Sequence, residues 1–395
     1  MTHESNDDWH FSTRAIRAGR SFDGESLAPV LWPSTTYANG SVDEQLRRAR
    51  SFHPGEFYSR NGSPTVLELE DAIAALEGAE AALAFGSGMG AIASVVLTFC
   101  STGDHIVAQS RTFSVTNQLF TMLCPRLGID VTFVDATDAL KVVAAVRPGR
   151  TQLVFVESPA NPGLELVDLG AIGAISGPFT VCDATFAPPP VQQTLRHGID
   201  IVVHAATKGI AGHNDAMLGV IAGERDLIEA VWGHHIIHGA VASPFDAWNA
   251  LRGIRTLSAR VAQQSATALA LASSLEANPA VARVAYPGLE SHPQHQLAVR
   301  QMTTGGTCLA FELAGGLEAG RAFVEGVQLA QVAPSLGGPE TLVVHPATMT
   351  AATLLPDERA AMGIGEGMIR VSVGLEHPDD VVADFAQALA TLASR

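Results

Sequence analysis

The chain has 395 residues, of which 47% are hydrophobic and 16% charged, and its formal charge is -16 at pH 7. That length carries two domains or one large domain with an appendage, and so large an apolar share suits a body that buries part of its face in an oligomer. The negative charge excludes nucleic acid and anionic membrane as partners, since phosphate binding needs basic patches and none is visible.

In chain order, residues 1–60 read as an irregular arm, interrupted by Pro29, Pro33, Gly40 and Gly55, that packs on a neighbouring subunit. Its opening, MTHESNDDWHFSTR, is acidic and has no apolar stretch of the kind a secretory signal needs. The Thr13–Arg17 segment reads as surface or interface. Ser63 and Pro64 open a helix, with Ser63 as cap and Pro64 where a missing N–H costs nothing. Ala81 to Cys100 has the length of a membrane span and no charge, but Gly86, Gly88 and Gly90 cluster inside it. Strand, tight turn and helix is therefore the expectation.

Short apolar runs follow at 81–85, 105–109, 131–135, 152–157, 179–183, 199–205 and 217–223, with helical stretches between several of them. The alternation predicts an α/β domain with a largely parallel sheet over 61–255, and ligands at the carboxyl ends of its strands. From Ser243 a helical pattern runs to about Leu275. A smaller α+β domain over 256–395 is expected next, with strands near 281–286, 307–313, 341–345 and 368–374, and a closing helix from Pro378 to Leu392. Cys100, Cys124, Cys182 and Cys308 show no CxxC spacing, which reads as reduced, buried thiols in a cytoplasm.

Three strand ends carry reactive groups. Glu157 to Asn161 ends one, Asp183 another, and Lys208 follows a third. Lys208 is one of only two lysines, with Lys141, in a chain whose other cations are arginines. Unlike arginine, a buried lysine can give up its proton near neutral pH and attack a carbonyl. A buried carboxylate and amine at neighbouring strand ends would shift each other's proton affinity, although a core ion pair explains the same residues. The turn Gly86-Ser-Gly-Met-Gly-Ala91, with Asp104 beyond it, suits a phosphate at a helix N-terminus, and it also approximates a dinucleotide fingerprint. His234, His235 and His238 have no cysteine or carboxylate at ligand spacing nearby. They read as a polar loop over a site, and no metal is expected.

Ordered motifs along the chain include STRAIRAG at 12–19, YSRNGSPT at 58–65, GSGMGAI at 86–92, VESPANP at 156–162 and CDATFAPP at 182–189. HAATKGIAGHND at 204–215, SPFDAWNALRGIRTL at 243–257, SLGGPETLVVHPATMT at 335–350 and GMIRVSVGLEHPDDVVADFAQAL at 367–389 continue the series. Together they resemble the Cys/Met metabolism family of pyridoxal-phosphate (PLP) enzymes, which includes cystathionine γ-synthase, cystathionine γ- and β-lyases, methionine γ-lyase and O-acylhomoserine sulfhydrylases. The resemblance implies PLP-dependent transferase fold type I and a homotetramer built as a dimer of dimers.

It also implies roles for residues. Lys208 would carry PLP as a Schiff base, and Asp183 would pair with the pyridine nitrogen to keep the ring an electron sink. Gly88 and Met89 would offer backbone N–H groups to the phosphate, and Thr207 a hydroxyl. Tyr58 and Arg60 would arrive from the neighbouring subunit, Tyr58 also meeting substrate. Asn161 would bond the phenolic oxygen, and Phe113 would stack on the ring. Ser335 and Arg370 would hold the carboxylate of a small amino-acid substrate.

Four positions depart from the family pattern. Ala205 replaces a phosphate-binding serine, Ala184 an asparagine, Ala351 a histidine, and Phe113 a tyrosine. Phenylalanine keeps the stacking but cannot donate a proton. The expectation is γ-elimination or γ-replacement favouring a γ-oxy leaving group, with a cystathionine or methionine γ-lyase as the alternative. An NAD-dependent oxidoreductase and a non-catalytic scaffold are the readings of other classes.

Overall fold

The structure is a computed structural model, and it describes residues 9–393. Most of the acidic opening stretch lies outside them. Two sheets organise the chain. The first has seven strands: β1 (Ala81–Phe85), β2 (His105–Gln109), β3 (Asp130–Val134), β4 (Thr151–Glu157), β5 (Phe179–Asp183), β6 (Ile201–His204) and β7 (Gly219–Gly223). Their order is β1-β7-β6-β5-β4-β2-β3, and only β7 runs antiparallel to its neighbours. Both faces are covered. On β4, Leu153 and Phe155 join one apolar cluster while Val154 and Val156 join another, so alternate residues enter different cores. That is why the runs read as continuously apolar.

The second sheet follows the long helix Leu257–Glu276. It comprises β8 (Val281–Ala285), β9 (Cys308–Leu313), β10 (Gln331–Val332), β11 (Leu342–Val344) and β12 (Met368–Ser372), in the order β10-β11-β12-β9-β8. β10, two residues long, was not expected, being too short for any periodicity. The closing helix runs Pro378–Ala393. No helix among the described residues is long and apolar enough to cross a membrane.

The arm is less irregular than its composition suggests. It holds α1 (Phe11–Arg17) and α2 (Val42–Arg50). α2 buries nothing and so lacks an apolar stripe. Instead Ser41 accepts the Glu44 N–H, Asp43 and Glu44 occupy the first turn, and Arg47, Arg48 and Arg50 the last. Capping and dipole complementarity hold it. In α1, Arg14 is buried rather than exposed, and donates to the Ala75 carbonyl at 2.7 Å near the end of α3 (Pro64–Glu77). Ser63 does sit at the cap position of α3, but its hydroxyl makes no capping bond.

The pattern from Ser243 is two helices, Pro244–Ile254 and Leu257–Glu276. At the break the Gly253 carbonyl accepts from the Thr256 N–H and from Arg260, at 3.1 and 2.8 Å. The histidines 234, 235 and 238 lie on the helix Arg225–His238, not on a loop. His235 sits on its buried face with Ile228 and Val231, in phase with the helical period.

Candidate active site

Because β2, β4, β5 and β6 are parallel, their carboxyl ends share one edge of the sheet, and Gln109, Glu157, Asp183 and His204 stand along it. A cavity opens above that edge and is closed on the far side by β12 and the segment around Pro334 to Leu336. Of the residues singled out from sequence, Phe113, Asn161, Asp183, Lys208, Ser335 and Arg370 line it together.

Lys208 donates from Nζ to the Ser335 Oγ at 2.7 Å. Burial lowers its proton affinity, and the cation of Arg370 lowers it further. No ion pair joins Lys208 to Asp183 among the described residues, and neither group is a cause of the other's shift. The mutual shift expected from their strand ends is therefore replaced by an arginine acting on the lysine, and the core ion pair is absent. Ser335 holds a φ of 95°, a region that side chains rarely adopt, while bonded on both sides.

Asp183 ends β5 and is buried. Its Oδ1 accepts from the Thr185 N–H at 2.9 Å and the Thr185 hydroxyl at 2.6 Å. Burial raises its proton affinity, which the two Thr185 bonds and nearby His204 oppose. Those bonds favour the ionised form that a cationic ring nitrogen would need. Arg370 on β12 donates to the Asn161 Oδ1 and to the Ser335 carbonyl, each at 3.0 Å, and its Nε is buried without a partner. A buried guanidinium with a spare donor suits a carboxylate.

At the other end of the cavity, α4 (Gly88–Phe99) starts where the glycine-rich turn predicts. Ser87 caps it by accepting the Gly90 N–H at 3.0 Å. A Cβ on Gly88 would lie 2.8 Å from that of Ala205, so glycine is needed for the close approach. Gly88 and Met89 stand beside the cavity rather than in its lining, and so does Thr207. The Thr207 hydroxyl donates to the Leu218 carbonyl at 3.1 Å and accepts the Leu218 N–H at 2.8 Å. The two bonds tie the Thr207 side chain to the backbone at Leu218. Tyr58 and Arg60 lie outside the cavity of their own chain, with the guanidinium 5.1 Å from the ring of Tyr58.

Sequence reasoning missed two supports. Thr185 holds Asp183 and also accepts the Ala205 N–H at 2.8 Å. Arg260, buried, donates to the carbonyls of Gly209 and Ile210 at 2.8 and 3.3 Å, which locks the turn after Lys208. An arginine beside Leu257 and Val261 in a helical pattern was the one available signal for it.

The dinucleotide reading fails on topology. Asp104 precedes β2, at the edge of the sheet opposite the cavity, and β1 pairs with β7 rather than β2. A ribose-binding acid belongs at a carboxyl end.

Comparison with known proteins decides the family. The family described as Cys/Met metabolism PLP-dependent enzyme matches residues 12–390. The chain belongs to this family. An O-succinylhomoserine sulfhydrylase of Pseudomonas aeruginosa is 42% identical over 97% of this chain and 96% of its own length. An L-methionine gamma-lyase of Treponema denticola is 38% identical over 96% of both. The crystal structure of metB from Corynebacterium glutamicum is 34% identical, with a TM-score of 0.90 over 98% of this chain and 99% of that one. The fold is PLP-dependent fold type I, and the protein is a PLP-dependent enzyme of Cys/Met metabolism. The residues present fit that cofactor on three observations: the buried, doubly bonded Asp183, the tight approach at Gly88, and the buried Lys208 amine with its lowered proton affinity.

Proposed function

We propose that the enzyme eliminates or replaces a substituent at the γ carbon of a homoserine-derived amino acid, and favours a γ-oxy leaving group over a thioether. O-acylhomoserine and canavanine are the substrates in view. When bound, PLP supplies an electron sink for charge left next to the amino group. Lys208 would carry it and then take the proton from the substrate Cα, a task helped by the lowered proton affinity of the amine. Ser335 holds that amine by its hydroxyl. Asp183 would face the pyridine nitrogen, Asn161 the phenolic oxygen, and Phe113 the ring. Arg370, with Ser335, would bind the substrate carboxylate.

The observation that carries the leaving-group choice is Phe113. It lines the cavity and has no proton to give to a departing thiolate, whereas an acyl carboxylate or hydroxyguanidine leaves with little help. O-succinylhomoserine or O-acetylhomoserine should therefore exceed cystathionine and methionine in kcat/KM by at least about tenfold. Faster turnover of cystathionine than of every γ-oxy substrate would sink the idea. That second reading, a cystathionine or methionine γ-lyase, draws support from the apolar wall of Leu354, Met362 and Ile364. The same screen separates the two.

Further parts of the proposal concern assembly. The chain divides into an arm over 1–60, a PLP-binding domain over 61–255 and a C-terminal domain over 256–395. Tyr58 and Arg60, exposed and outside their own cavity, would complete a neighbour's phosphate site in a homotetramer built as a dimer of dimers. Four unpaired cysteines support a cytoplasmic setting.

A further inference from the structure

Two loops that carry proposed cofactor contacts converge on one carboxyl. The Phe113 N–H, in the loop after β2, donates to Glu157 Oε2 at 2.8 Å. The Asn161 N–H, in the loop after β4, donates to Glu157 Oε1 at 2.7 Å. Glu157 is itself fastened, because its own N–H donates to Gln109 Oε1 at 2.9 Å, and the Gln109 amide donates to the Arg111 carbonyl at the same distance. Both Glu157 and Gln109 are buried.

Phe113 needs such an anchor. The residue is 38% exposed, and its ring forms no aromatic pair among the described residues. Packing therefore does little to fix where the ring points, and the backbone bond to Glu157 does more. Asn161 passes the constraint on, since its Oδ1 accepts from Arg370. A carboxyl is also an expensive tie at this place. Glu157 stands directly across from Asp183 in the β4–β5 register, and burial together with that neighbour raises its proton affinity well above the usual range. A residue kept only to join two loops could be neutral.

We propose that Glu157 is a positioning residue of this site: it sets Phe113 against the cofactor ring and Asn161 toward Arg370 without touching the reacting atoms. The proposal rests on the placement of Phe113 and Asn161 given above.

The test uses PLP-loaded enzyme and the variants Glu157→Gln, Phe113→Ala and Asn161→Ala, singly and combined. Glu157→Gln keeps the volume and one acceptor oxygen, but turns an amide donor toward the other N–H. Its visible circular dichroism per bound cofactor should fall by about half, and kcat by about tenfold, with melting temperature little changed. In the Phe113→Ala, Asn161→Ala background the same substitution should change kcat by less than about twofold, because the groups it acts through are gone. Full multiplication of effects in that background would overturn the proposal, as would an unchanged dichroism and kcat in the single variant. If Phe113→Ala and Asn161→Ala leave the dichroism intact while Glu157→Gln abolishes it, the placement of those two residues fails, and the proposal falls with it.

Discussion

The two ends of the cavity are built differently. Around the proposed ring position, side chains cross-link densely: Thr185 holds Asp183, Glu157 holds Phe113 and Asn161, and Ser335 and Asn161 hold Arg370. Around the proposed phosphate position, side-chain donors are few. Ala205 has no hydroxyl, Thr207 is bonded to the Leu218 backbone, and the start of α4 stands beside them. On the site proposed above, the contrast teaches that this chain's own side chains serve the orientation of the cofactor more than its grip. Orientation must be exact to a fraction of an ångström, and side-chain networks supply that. Grip can be shared with a second subunit, provided the second subunit is always there.

The largest break would come at the ring end. Lys208→Ala should lower kcat by at least about a thousandfold and remove the band that borohydride traps. Retention of a reducible covalent cofactor would transfer the role to Lys141, which lies on the surface with Asp135 at 3.5 Å. At the phosphate end, Arg60→Ala should weaken PLP binding by about a hundredfold, the worth of a charge-assisted bond. Mixing Arg60→Ala with Lys208→Ala subunits should restore part of the activity through hybrid dimers. No recovery despite proven subunit exchange would remove Arg60 from the neighbour's site.

Behind the proposed phosphate end, His235 is buried against Phe85, and burial pushes its pKa down to about 4. The folded state favours the neutral ring, so the stability it contributes is complete above the unfolded pKa of about 6.5. It is lost as pH falls toward the folded value, by about 2 kcal/mol at pH 5. His235→Phe should flatten the drop in melting temperature between pH 7 and pH 5, and an unchanged drop would assign the acid sensitivity elsewhere. The smallest effect sharpens the contrast directly. Ala205→Ser places a hydroxyl beside Gly88 and should tighten PLP binding by about tenfold, read by titrating apoenzyme. No gain would mean that the backbone already satisfies the phosphate.

Much of this was legible along the chain. Strand runs of alternating allegiance to two cores, glycines at a tight turn, and a lone lysine after an apolar run are local signals, each carried by a few consecutive residues. α2 escaped notice because its stabilisation is by cap and charge, with no apolar stripe to betray it. The break at Gly253 escaped because its cause is Arg260, seven residues ahead, whose guanidinium competes for a carbonyl.

The sheet could be read from periodicity, and the family and the candidacy of Lys208, Asp183 and Arg370 from the resemblance of ordered motifs, since both are properties of the line. Who bonds to whom could not. Glu157 reaching Phe113 44 residues away, Arg370 reaching Asn161 across 209, and Thr207 turning its hydroxyl to Leu218 are decided by where strands end and loops return. A hydroxyl or a carboxyl has the same letters wherever it points; only the folded chain sets its distance and its burial, and those settle which partner it serves.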